Sequence, residues 1–162
     1  MANLSDEQYR VLLVFRCALR QYLNWSAEQA KSLGLTPQQH QLLLAVRAHP
    51  GDKPPSIGEL ADYLLIRHHS AVELTSRIGH LGMVVREPDE DDQRIVRVQL
   101  TAKGREVVEE LATAHLAELE RVAAQLDISE FLLERLSTEF IVELSGGDSH
   151  KLSDTNEVRK TG

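Results

Sequence analysis

Between Ser56 and Leu100 the chain sets two short helical patterns and two apolar runs end to end, an order and spacing that few folds can accept. Ser56 can cap a helix whose inward positions are Ile57, Leu60, Ala61 and Leu64, with Glu59 in the first turn, where the helix dipole favours an acid. A corner at Leu65-Ile66 leads into a second segment, where Ala71, Leu74, Ile78 and Leu81 recur at spacings of three and four until Gly82 stops it. Two strand-like runs follow, Met83-Val84-Val85 and Ile95-Val96-Arg97-Val98-Gln99-Leu100, the second alternating as a half-buried strand does. The stretch from Arg86 to Arg94 joins them as a loop too polar to pack inside.

Two short helices about a tight corner, followed by a hairpin, outline a winged helix-turn-helix. That arrangement predicts DNA binding. The second helix can enter the major groove by its N-terminal residues while the hairpin reaches the adjacent minor groove. Arg67, His68, His69 and Ser70 cluster where that helix begins, and all can donate hydrogen bonds to phosphate oxygens or base acceptors. A solvated helix end is the plainer reading of these four.

Three further landmarks carry a family resemblance. They are Gly34-Leu35-Thr36-Pro37-Gln38-Gln39-His40 at the start of a second helix, Glu59-Leu60-Ala61 through Arg77-Ile78 to Gly82-Met83-Val84, and Asp92-Gln93-Arg94 leading into Leu100-Thr101-Ala102-Lys103-Gly104. In order and spacing they resemble the MarR (multiple antibiotic resistance) family of transcriptional regulators over roughly residues 5 to 145, the Asp-x-Arg and Leu-Thr-x-x-Gly wing signature being the most diagnostic piece. The resemblance implies DNA contacts from Thr36, Gln38, Ser56, Arg67, His68, His69, Ser70, Glu73, Arg77, Asp92 and Arg94. Arg94 would enter the minor groove from the wing tip, with Asp92 holding its guanidinium. A narrow groove concentrates negative potential and attracts Arg. The structural alternative, that Asp92 and Arg94 clasp the hairpin, is compatible with that role. The family commonly has proline where Glu90 stands, arginine where Gln93 stands and often arginine where Glu73 stands, so each departure makes the DNA face less positive.

The resemblance further implies repression relieved by a small effector, often aromatic or phenolic, bound between a dimerisation module and the reading head. Arg16, Tyr22, Trp25 and His40 are the candidate lining, with dimer-interface packing as the plainer role for Tyr22 and Trp25.

Net charge by itself argues the other way, with 18 Lys and Arg against 25 Asp and Glu giving −7. Its distribution matters more. Residues 106 to 145 carry a net −8, which leaves +1 for everything else, so the potential around Arg67, Arg77, Arg86, Arg94 and Arg97 is what DNA would meet.

The flanks read as helices in search of partners. From Ser5 to about Lys31 the pattern is helical, and Val11-Leu12-Leu13-Val14-Phe15 makes it apolar nearly all round, which asks for more than one neighbour. Thr101 can cap a long helix with a stripe of Val108, Leu111, His115, Leu119, Val122 and Leu126, and a last helix carries Leu133, Leu136, Phe140 and Leu144. A two-fold dimer on a pseudo-palindromic operator is expected, with a monomeric helical bundle as the alternative. The expected fold is mainly α with a small β-hairpin wing (α+β). Residues 1–33 and 105–145 form a helical dimerisation module, 34–104 the winged helix-turn-helix, and 146–162 a flexible tail.

Cys17 is the only cysteine, which fits a reducing compartment, and its apolar neighbours favour a buried, inert thiol. Some family members sense peroxide through a first-helix cysteine, but theirs lies nearer the position of Leu12. The seven histidines form no metal box, because His68 and His69 point about 100° apart on a helix and the rest lack paired spacing. His115, on an apolar stripe, reads as a packed residue. No cofactor is expected. The apolar run at 11–15 is short and flanked by Arg10 and Arg16, so neither a signal peptide nor a membrane span is visible and a cytoplasmic location is expected. No phosphate loop, nucleophile motif or metal cluster speaks for an enzyme. The alternative to a DNA-binding regulator is a winged-helix interaction module with weak or no DNA binding.

Overall fold

The computed structural model describes residues 6–126, in the order α1 (Asp6–Ser32), α2 (Pro37–Ala48), α3 (Ile57–Leu64), α4 (His68–His80), β1 (Val84–Pro88), β2 (Val96–Leu100) and α5 (Ala102–Leu126). The expected last helix and tail lie outside the described residues. What is described is mostly helical with a two-stranded antiparallel hairpin.

Local chemistry sets most of the boundaries. Thr36 opens α2 with a capping box, its hydroxyl accepting from the Gln39 N–H while the Gln39 side chain accepts from the Thr36 N–H, and Pro37 fills the first helical position. Ser56 and Glu59 repeat the device at α3. The α3–α4 corner is a Schellman turn: the Ile66 N–H donates to the Ala61 carbonyl and the Leu65 N–H to Asp62, with Leu65 left-handed at φ 53°. Ile66 thereby packs against the core, while the Leu65 side chain is 92% exposed.

The core of the reading head is shared among all its elements. Leu42 and Leu43 of α2, Leu60 of α3, Ala71 and Ile78 of α4, and Val98 of β2 are fully buried, and Val108 and Leu111 of α5 join them. Val84 pairs with Leu100 and Pro88 with Val96, so β1 runs farther than expected: Arg86, Glu87 and Pro88, assigned above to the connecting loop, are paired strand. Pairing propagates along an antiparallel ladder whatever the polarity of side chains that face water. The tip is also less exposed than its composition implies. Asp89 is 5% exposed, held there by partners described below.

Gly104 explains why the wing runs straight into α5. A side chain there would put its Cβ 2.0 Å from the Met83 carbonyl oxygen, so only glycine allows the first turn of α5 to sit on the start of β1. Thr101 completes the joint by donating its hydroxyl proton to the Gly82 carbonyl (2.7 Å) and accepting from the Gly104 N–H (3.1 Å).

Helix α1 is buried only toward its end, at Ala30, whereas Leu12, Leu13, Val14, Phe15, Leu19 and Leu23 are exposed in the single chain. Cys17 lies on this uncovered half and is exposed, not buried. Its apolar sequence neighbours belong to a surface that the other described residues do not cover. No helix among the described residues is long and apolar enough to cross a membrane.

A leucine in the left-handed region, gaining nothing from a side chain in water, costs about 1 kcal/mol relative to glycine. Leu65→Gly is therefore expected to raise the thermal midpoint by about 2–4 °C at fixed protein concentration. An unchanged or lower midpoint would mean that the exposed side chain has a stabilising contact.

Candidate nucleic-acid interface and an aromatic cluster

The wing and the helix-turn-helix enclose a groove of about 780 Å³, lined by Ser56, Gly58 and Glu59 at the start of α3, His68 and Val72 of α4, and Arg86, Arg94 and Arg97 of the hairpin. Of the expected contact residues, the fold brings Ser56, His68 and Arg94 around this groove. Arg67 precedes α4 as its N-cap residue, with no side-chain cap bond, and it is exposed with His68 and His69; Ser70 is half-buried. The α4 N-terminus thus offers undercommitted donors beside its own N–H groups, a setting that suits phosphate. Thr36 and Gln38 are exposed at the start of α2. The Thr36 and Ser56 hydroxyls accept helix-cap bonds, which leaves each proton free to be donated.

Glu73 and Arg77 form an (i, i+4) ion pair at 3.0 Å on α4, each side chain 65% exposed. In that state the carboxylate holds the one guanidinium on the outer face of the helix. At the tip, Asp92 and Arg94 are both exposed, and the contact between them differs from the expected one. Asp92 Oδ1 accepts the backbone N–H of Arg94 (3.0 Å), so it shapes the turn instead of holding the guanidinium.

Arg97 is the residue that the sequence misplaced among the exposed cations. Its side chain is 19% exposed, and its guanidinium donates to Asp89, Glu59 and the Pro54 carbonyl. The Val98 N–H donates to the Pro55 carbonyl and Ser56 forms a bridge with Arg97, so the segment before α3 covers the back of β2. Arg97 holds the Asp89 carboxyl well below the usual carboxylate range, helped by the N–H groups of Asp91 and Asp92. Burial pushes Glu59 up, but hydrogen bonds from Ser56 and the charges of His49 and Arg97 outweigh it and leave the carboxyl lowered.

The effector candidates meet at the other end of the reading head. Tyr22 and Trp25 of α1, His40 of α2 and His115 of α5 meet in one cluster of tilted and edge-on rings, with His40 and His115 centroids 4.5 Å apart and Trp25 and His115 4.9 Å apart. His115 was not among the candidates, because on an apolar stripe it looks like any packed side chain. Its Nδ1 lies 2.7 Å from the Leu111 carbonyl, which can only accept, so Nδ1 carries the proton and Nε2 is free to accept from the Ser26 hydroxyl at 2.7 Å. Burial first, and His115 second, lower the His40 pKa to about 4. Burial also raises that of Tyr22, with Glu118 adding to it. Arg16 is exposed and about 9 Å of helix rise before Tyr22, outside the cluster. Among the described residues, no three His, Cys, Asp or Glu side chains converge as metal ligands would.

Comparison with known proteins agrees with this architecture. Residues 33–95 match the MarR family. The transcriptional activatory protein BadR of Rhodopseudomonas palustris (strain ATCC BAA-98 / CGA009) is 38% identical over 79 residues, 49% of this chain and 45% of that protein, so the match spans less than half the length of that relative. The fold is similar to S. aureus MepR in a DNA complex (TM-score 0.63, 18% identity, 89% of this chain and 99% of that one). It is equally similar to NadR in complex with 4-hydroxyphenylacetate (TM-score 0.64, 20% identity, 91% and 98%). The family match thus lies on the reading head, at residues 33–95, and the fold around it is similar to solved structures of MarR-family proteins.

Proposed function

We propose that the chain is a homodimeric, sequence-specific DNA-binding transcriptional regulator. The observation that carries the reading is the groove between α4 and the wing, with the exposed Arg94 at its rim and His68, Ser56 and Arg86 along it. A duplex lying across it would present phosphates to the α4 N-terminus and a minor groove to the wing tip. BadR and the DNA-bound MepR support the same reading by kinship and by fold. The exposed Leu13 (63%) and Leu23 (56%) of α1 and Leu116 (62%) of α5 are too apolar a surface for a lone soluble chain, and a second copy covers them most simply. Residues 1–33 and 105–145 then serve as the dimer module, 34–104 as the reader and 146–162 as a tail, in a cytoplasmic protein without enzymatic activity. Whether binding represses or activates follows from where the operator lies relative to the promoter; the BadR name points to activation, the family default to repression.

The aromatic cluster is the proposed effector site, its ligand a small aromatic or phenolic molecule of the kind bound by NadR. Such a ligand can regulate only by binding the DNA-incompetent geometry more tightly than the competent one.

The interface is tested by fluorescence anisotropy on DNA from upstream of the chain's own gene, against scrambled duplex, over a range of salt. Arg94→Ala is expected to weaken binding and to lower the slope of log affinity against log salt by about 1. Unchanged affinity and slope would remove the wing from the interface and favour an interaction module. Glu73→Gln takes a carboxylate off the outer face of α4 and frees Arg77, so it is expected to strengthen binding and steepen that slope.

The pH dependence of the cluster follows from His40. The unfolded chain takes up a proton on this imidazole near 6.5, while the folded chain resists until about 4. The contribution to stability is therefore whole above pH 6.5 and is lost progressively as pH falls toward 4. Thermal midpoints measured between pH 6.5 and 5, above the range of Asp89 and Glu59, are expected to fall in the wild type and to fall much less in His40→Gln. Equal slopes in the two proteins would place the sensitive group elsewhere.

A further inference from the structure

We infer that Arg97 is a positioning residue that locks the wing tip to the N-terminus of α3, so that Arg94 and α4 meet DNA at one fixed separation. The inference rests on the DNA-binding reading above and adds to it a residue that never touches the nucleic acid.

The three acceptors of Arg97 belong to three different parts of the reading head. Nε donates to Asp89 Oδ2 at 2.7 Å, at the wing tip; Nη1 donates to the Pro54 carbonyl at 3.0 Å, in the α2–α3 connection, and to Glu59 Oε2 at 3.3 Å, in the first turn of α3. Asp89, its side chain 4% exposed, carries the restraint onward by accepting the N–H groups of Asp91 (2.9 Å) and Asp92 (3.1 Å). Asp92 in turn accepts the Arg94 N–H. A continuous chain of bonds thus runs from the α3 cap through one guanidinium to the backbone of Arg94. Lys53 adds a second cation to the tip through Asp89 and Asp91.

The chemistry requires the fork. A planar guanidinium presents donors in several fixed directions and satisfies two carboxylates and a carbonyl at once, whereas an ammonium on a flexible stem is a point charge. Without Arg97, Asp89 and Glu59 face one another with less cation between them, and the tip loses its tie to α3. A loose wing must then be ordered when DNA binds, which weakens binding without removing any direct contact.

Arg97→Leu, Arg97→Lys, Arg94→Ala and the double variant Arg94→Ala/Arg97→Leu are compared in the full chain for DNA affinity, salt slope and thermal midpoint. Arg97→Leu is expected to weaken specific binding about tenfold and to lower the salt slope to that of Arg94→Ala. Arg94→Ala is expected to cost little more once Arg97 is gone, because both act through the same tip. A role in stability alone would lower the midpoint and leave the full effect of Arg94→Ala in place, so additive losses overturn the proposal. Wild-type binding by Arg97→Lys also overturns it. If the wild type itself shows no specific binding, the regulator reading has failed, and the lock is then judged by amide exchange in the free protein. Faster exchange at Asp91, Asp92 and Arg94 in Arg97→Leu, with α4 unchanged, supports it, and unchanged exchange at the tip overturns it.

Discussion

The joint between the wing and α5 is the constraint on which the rest of the molecule depends. Met83 offers its carbonyl to the Thr101 N–H at 3.0 Å, Thr101 gives its hydroxyl proton to Gly82, Lys103 donates to the Leu81 carbonyl, and Gly104 has no Cβ to keep α5 away from that backbone. The end of α4, the first residues of β1 and the first turn of α5 are therefore one hydrogen-bonded block. Because α4 ends in that block and α5 begins in it, α5 cannot tilt without carrying α4 along. The Leu100-Thr101-x-x-Gly104 stretch is thus a mechanical coupling as much as a helix start.

A second contact makes that coupling useful. Eleven residues after Gly104, about 16 Å along α5, His115 meets His40 of α2 and Trp25 of α1. Helix α5 touches the reading head at its own start and again at this cluster, and α1 closes the cluster from the other side. In the proposed regulator, whatever enters the cluster spreads α1, α2 and α5, and the rigid block at Gly104 turns that movement into a displacement of α4. The fixed Nδ1–H tautomer of His115 and the neutral state that burial imposes on His40 give such a ligand a defined pair of imidazoles to meet.

Features set by neighbours a few residues apart were legible in the sequence. The Ser56 cap with Glu59 behind it, the Gly82 stop and the Thr101 cap each rest on atoms within one turn, where residue type nearly decides the outcome. The strand alternation of β2 was legible for the same reason. Arg97 was not: its partners lie 8, 38 and 43 residues away, and on a strand with a half-buried pattern it looks like a solvent-facing cation. Asp89 was hidden in a run of acids whose composition says loop, although one carboxylate of that run is the internal anchor. Cys17 misled in the opposite sense, since apolar neighbours promise burial only if the chain supplies something to cover them. The Leu65 corner was located correctly, but its left-handed backbone depends on the Ile66 side chain being drawn into the core, which no local pattern reveals.

Electrostatics decides how such an acidic chain can approach DNA. The net negative charge of the sequence sits on residues 106–145, which carry −8 of a total of −7, and salt screens exposed charges from one another beyond about 8–10 Å. The reading head is close to neutral, and three of its cations are spent internally: Arg97 on Asp89 and Glu59, Lys53 on Asp89 and Asp91, and Arg77 on Glu73. What remains near the groove for phosphate is a small set, Arg86 and Arg94 along it and the exposed Arg67 at the N-terminus of α4. Few phosphate contacts mean weak non-specific binding and a shallow salt dependence. Discrimination must then come from the geometry with which α4 and the wing are held. A reader with little charge to spare gains most from a rigid wing, and the partly buried guanidinium of Arg97 meets that need better than another exposed cation would.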